Sequence, residues 1–148
     1  MLYKNNFINI IKKLNINYDY YLEKNAKIPD LFAKIGKNYI FVEHKNMKQS
    51  GVSQNNVIVE IKDFIKEEDE NVYYVSYLDG IAFQYFFSDD YDPNGSGKFD
   101  VTNKNFNEIF ETHERSYIVN SAGFDKLIEE LIKLKKKNKM YCNIKEIL

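Results

Sequence analysis

The sequence predicts an α/β domain, and three observations carry that reading. Two runs of strand formers, 28–35 (IPDLFAKI) and 39–45 (YIFVEHK), flank the turn residues Gly36, Lys37 and Asn38, which predicts a β-hairpin. Both runs are apolar on alternate positions of both faces, the pattern of central strands covered on two sides. Runs with helical spacing precede and follow them, alternating with further strand-like segments. The chain has 148 residues, with no internal repeat and no linker that would split it. It is read as one domain, 1–148, large enough to fold without a disulfide or metal staple.

Taken in order, Leu2, Phe7, Ile10, Ile11 and Leu14 predict an opening amphipathic helix over 2–14. The aromatic stretch 16–22 (INYDYYL) is compatible with a strand. After the hairpin, 46–53 reads as a polar loop containing Gly51. Val57, Ile58, Ile61, Phe64 and Ile65 form the buried stripe of a helix over about 53–67. A strand is expected at 72–78 (VYYVSYL), a turn at Asp79-Gly80 and a returning strand at 81–87. Residues 88–98 read as an exposed loop, 105–112 as a short helix and 116–119 as a strand. Phe124, Leu127, Ile128, Leu131 and Ile132 give a closing helix, 121–136, a clean inner face.

Side chains alternate across a strand. Tyr39, Phe41, Glu43 and Lys45 therefore share one face, and Ile40, Val42 and His44 the other. Asp30 occupies a position in the preceding run where an apolar residue is expected. A hairpin turning at 36–38 sets Asp30 roughly across from Glu43 and Lys45. Two carboxylates and an ammonium then meet on an otherwise apolar sheet. Burying three charges costs several kcal/mol each unless they are paired or hold a metal. A hard cation such as Mg²⁺ suits one or two carboxylates completed by waters and phosphate oxygens. A lysine beside the metal-bound water can orient or help deprotonate that nucleophile and steady a pentavalent phosphate, which is metal-assisted phosphodiester hydrolysis.

Pro29-Asp30, a spacer, then Glu43-His44-Lys45 resembles the signature of the PD-(D/E)XK nucleases, a superfamily that includes many type II restriction endonucleases and several repair and recombination nucleases. The resemblance covers roughly residues 20–80. Ser50-Gly51 followed by Gln54, and the later Leu78-Asp79-Gly80, are similar to restriction enzymes in the same way. The resemblance implies a central mixed sheet flanked by helices. It implies that Asp30, Glu43 and the backbone carbonyl of His44 bind Mg²⁺ (Mn²⁺ as a substitute), and that Lys45 is catalytic. It also implies double-stranded DNA as substrate and, for a type II enzyme, a homodimer in which each subunit cuts one strand.

Other polar residues are weighed beside these. Gln54 precedes Val57 by three and Ile58 by four, at the helix start near the end of the Glu43 strand. It is a candidate for contacting the attacking water or a DNA phosphate, against a capping role beside Ser53. His44 points away from Glu43 by alternation, and His113 reads as a surface residue. With Cys142 the only thiol, they make no zinc site. Glu23 is a possible extra carboxylate, more simply solvated. The five lysines of 133–139 complement a helix dipole, and the acids of 67–70 read as a solvated helix end. The 88–98 loop lacks the spacing and closing glutamate of a calcium loop.

The bulk composition sets outer limits. One cysteine excludes an intrachain disulfide, and with no signal peptide this points to a cytoplasmic location. No apolar run is long enough to span a bilayer. The net charge of −1 shows no basic footprint, although clustered carboxylates cancel lysines in any such total. Arg115 is the only arginine, so bidentate Arg–guanine reading is nearly unavailable and Asn, Gln and Lys would replace it. The expectation is a Mg²⁺-dependent endodeoxyribonuclease of type II restriction character. A repair or junction-resolving nuclease of the same superfamily and a non-catalytic nucleic-acid- or protein-binding α/β module are the alternatives.

Overall fold

A computed structural model describes residues 2–18, 28–46, 53–80, 83, 92 and 94–145, without the side chains of 2–4, 53–54 and 135–145. The elements are α1 (Leu2–Lys13), β1 (Leu31–Ile35), β2 (Asn38–Asn46), α2 (Ser53–Ile65), β3 (Val72–Asp79), α3 (Lys98–Thr112), β4 (Ser116–Val119) and α4 (Ser121–Lys145). The strands form one mixed sheet in the order β1-β2-β3-β4. The hairpin pair β1–β2 is antiparallel, while β2–β3 and β3–β4 are parallel. Helices α2 and α3 make the crossovers that parallel neighbours require. The fold is thus the α/β central mixed sheet with flanking helices that the sequence led one to expect.

The β1–β2 turn is set by two residues, Gly36 and Lys37, because Ile35 pairs with Asn38. Gly36 has φ 65, the left-handed conformation that a two-residue hairpin turn of this kind requires and that glycine adopts without a Cβ clash. Both sheet faces are covered. On one, Phe41, Val72, Tyr74 and Leu78 pack with α1 (Phe7, Ile11), α2 (Ile58, Ile61, Phe64, Ile65) and α3 (Phe106, Ile109). On the other, Ile40, Val42, Val75 and Val119 pack against Leu127 and Leu131 of α4. The high aromatic content is concentrated on the first face. Phe41 meets Phe7, Tyr18, Phe32 and Tyr74 edge-on, at centroid separations of 5.6, 5.1, 5.3 and 5.7 Å. Such edge-to-face pairs contribute about 0.5–1.5 kcal/mol each beyond the area they bury.

Several boundaries differ from the sequence expectations, each for a local reason. The first strand begins at Leu31 rather than 28, because Pro29 has no N–H to give to a ladder. The helix expected at 105–112 starts earlier, at Lys98, with Gly97 as N-cap and Asp100 in its first turn, where a carboxylate favours the helix dipole. The closing helix runs to Lys145 rather than 136; no Gly or Pro follows Gly123 to stop it. The returning strand expected at 81–87 falls almost wholly outside the described residues, while β3 itself pairs with β2 and β4 over Tyr74–Tyr77. Of that stretch only Phe83 lies among the described residues, in a helical turn on Gly80 O. Of the stretch 16–22, residues 16–18 are irregular and the rest lie outside the described residues. Asp69 is more than a solvated helix end, since its carboxylate accepts the Asn17 and Asn71 N–H groups and ties two loops together.

Candidate active site

The site lies where β1 begins and β2 ends. Ladder pairing stops at Leu31↔Val42. The next β2 donor facing β1, the His44 N–H, is taken by the Asp30 carboxylate, Oδ2 accepting at 2.8 Å. Asp30 thus stands in for the ladder carbonyl that a longer strand would have supplied. Opposed residues of an antiparallel pair share a face. Phe32 lies opposite Phe41, and Asp30, exposed just ahead of β1, reaches β2 at His44, the residue that follows Glu43. A residue's N–H and C=O leave the same edge of a strand, so the His44 carbonyl is directed to the Asp30 edge. The His44 ring is exposed on the opposite face, 5.4 Å from the Tyr77 ring.

Glu43 is 5% exposed. A carboxylate this deeply placed needs a partner, and Lys45, two residues along and on the same face, supplies it: Nζ donates to Glu43 Oε1 at 2.7 Å. The same ammonium lies 2.9 Å from Glu60 Oε2 on α2. Burial pulls the Lys45 ammonium toward deprotonation, but hydrogen bonds to Glu43 and Glu60 and the charge of both overcome it and push the pKa up to about 12. In this arrangement Lys45 is a fixed cation rather than a proton acceptor.

Glu60 was not among the sequence candidates. Its signal was present, since it stands three residues after Val57 and four before Phe64, at the margin of the buried stripe, where a charge needs a partner. Glu60→Gln is expected to lower the Lys45 pKa by removing one of its two negative neighbours, read by nitrogen NMR titration of the lysine amine. The stability that Lys45 gains from its partners is complete below its unfolded value near 10.5 and is lost as pH rises through about 12. The Glu60→Gln stability difference should therefore stay flat from roughly pH 6 to 9. A slope in that window would show that another group carries the effect.

Of the remaining candidates, Gln54 stands at the second position of α2, with its side chain outside the described residues. Glu23 and Ser50-Gly51 lie outside them altogether. His113 is partly buried at the end of α3, its Nδ1 2.8 Å from Thr112 Oγ1. It lines, with Glu67, Glu70, Glu111 and Glu114, a cavity of about 380 Å³ by the starts of β3 and β4, the end of the sheet away from Glu43.

Among the described residues no three His, Cys, Asp or Glu side chains converge as a metal cage. The oxygen donors at the meeting of β1 and β2 are the Asp30 and Glu43 carboxylates and the His44 carbonyl, all hard ligands. Asp30 and Glu43 each commit one oxygen to a neighbour, and the other has no partner among the described residues. Such a set fits a hard dication that keeps several waters and does not fit a softer metal. Among the described residues no helix is long and apolar enough to cross a membrane. No protein-family model, no curated protein and no solved structure matches the chain.

Proposed function

We propose that the chain is a Mg²⁺-dependent endodeoxyribonuclease, most simply a type II restriction endonuclease acting on double-stranded DNA as a homodimer. The observation that supports this reading is the joining of its two halves: Asp30 is hydrogen-bonded to the backbone of the very strand that bears the paired Glu43 and Lys45. Two acids and a lysine so placed match the needs of phosphodiester hydrolysis. Asp30, Glu43 and the His44 carbonyl would hold the cation. When bound, it supplies Lewis-acid activation of a water and neutralises phosphate charge. Lys45 supplies a positive charge aimed at the attacking water and the phosphate oxygens. Glu43 and Glu60 hold that ammonium charged and in place. The position, at the carboxyl end of a parallel strand before a crossover helix, is where open α/β sheets bind ligands.

The test is incubation of the purified chain with supercoiled plasmid and phage DNA, with and without Mg²⁺. Discrete fragments are expected; a smear would mean cleavage without sequence preference. Mg²⁺ or Mn²⁺ should support cutting, and Ca²⁺ should support DNA binding alone, because its looser and larger ligand shell fills the carboxylate site without setting up the water. Undiminished cutting in EDTA would rule the mechanism out.

A further inference from the structure

Ser76 sits in the middle of β3, fully buried, between Tyr74 and Leu78 on the face that carries the site. Its Cα partner on β2 is Glu43, so the two side chains are direct neighbours across the parallel ladder. The Ser76 Oγ has no hydrogen-bond partner among the described residues. A buried hydroxyl left unpaired is costly, and alanine would fill nearly the same volume without that cost. The neighbouring carboxylate offers an explanation. Glu43 is turned toward Lys45 through Oε1, and Oε2 has no partner among the described residues. A buried, unused donor and a nearly buried carboxylate with an unused acceptor therefore occupy neighbouring positions on paired strands.

We propose that Ser76 is a positioning residue of this site, its hydroxyl donating a hydrogen bond to the Glu43 carboxylate when that carboxylate turns from Lys45 to a divalent cation. The inference rests on the nuclease reading and deepens it. A carboxylate that ligates a metal is held in orientation by a hydrogen bond from behind, and loss of such a bond weakens metal affinity by about 10–100-fold. Lys45, freed of Glu43, keeps Glu60 as its anchor.

The test uses the full chain with Ser76→Ala and Ser76→Cys, each followed by thermal melting, Mn²⁺ calorimetry and plasmid nicking. A merely structural serine predicts that Ser76→Ala melts at the parent temperature or above, with Mn²⁺ affinity and cutting unchanged. Positioning predicts the same melting behaviour together with Mn²⁺ affinity about 10-fold or more weaker and a parallel loss of nicking. Ser76→Cys, a near-isostere with a weaker donor, should fall between. Parent-like Mn²⁺ affinity in Ser76→Ala would overturn the inference and leave the nuclease reading standing. A parent chain that neither binds Mn²⁺ nor nicks DNA would overturn both.

Discussion

Lys45→Ala is expected to give a folded protein that binds divalent cations at least as tightly as the parent but cuts DNA about 10²-fold or more slowly. Two opposing effects of one charge produce this separation. Lys45 is the cation between Glu43 and Glu60, at 2.7 and 2.9 Å. Removing it leaves a nearly buried carboxylate facing a second one. Breaking a fully buried pair costs about 3–5 kcal/mol. Lys45 keeps 15% of its side-chain exposure and Glu60 37%, so solvent screens part of the loss, and about 2 kcal/mol is the better expectation. That corresponds to a fall in Tm of about 4–8 °C for a domain of this size.

A cation beside a metal repels it, so the same deletion relieves a repulsion at the metal site. Added Mg²⁺ should therefore restore the Tm of the variant more than it raises that of the parent, since a ligand at 100 times its Kd stabilises by about 2.7 kcal/mol. DNA binding in Ca²⁺ should persist, because one lost charge changes the electrostatic term modestly. The measurements are melts with and without Mg²⁺ beside a nicking time course. A Lys45→Ala protein that is folded, binds DNA and cuts at the parent rate would remove the lysine from the mechanism and most of the case for the family resemblance.

How legible the site was depends on the distance over which each residue's partner lies. Glu43 and Lys45 share a face by strand alternation alone, and the turn at Gly36 sets the register that carries Asp30 to the His44 N–H of the same strand, all within 16 positions of local sequence. The mode of contact was not readable. That Asp30 would end β1 and cap the His44 N–H follows from Pro29 lacking a donor, a detail visible in the sequence but outweighed there by the apolar pattern of 28–35. For Glu60 and Ser76 the partner was not readable, although the place of Glu60 at the margin of the buried stripe signals that it needs one. Each meets the site through tertiary packing, Glu60 across the β2–α2 interface and Ser76 across the β2–β3 ladder, and the register of a parallel pair is set by the crossover rather than by either strand. The α/β class was readable because both central strands carry apolar side chains on two faces. The pairing of β3 with two parallel neighbours was not readable from the turn signal at Asp79-Gly80, because which strands flank β3 is set by the crossovers rather than by local sequence.

Glu43→Gln is expected to remove metal binding and cleavage together, the complement of the Lys45 result. The substitution keeps the shape of the side chain and leaves an amide oxygen to accept from Lys45, which also keeps Glu60. It also removes the desolvation cost of a carboxylate that is 5% exposed. The fold should therefore survive with Tm within a few degrees of the parent, and loss of activity cannot be assigned to unfolding. What disappears is the negative charge. An amide oxygen is a weaker ligand for a hard dication, and the site keeps only Asp30 as its anionic donor. Cutting should fall by about 10³-fold or more, as when a group acting on both the metal and the transition-state charge is lost, and Mn²⁺ affinity should fall with it. In the double variant with Lys45→Ala the cutting defect should be little worse than in Glu43→Gln alone, because residues acting as one unit are strongly non-additive. Calorimetry and nicking on the two single variants and the double complete the cycle. Additive losses would mean that Glu43 and Lys45 act independently, and a Glu43→Gln protein that binds Mn²⁺ like the parent would place the metal, and with it the chemistry, elsewhere.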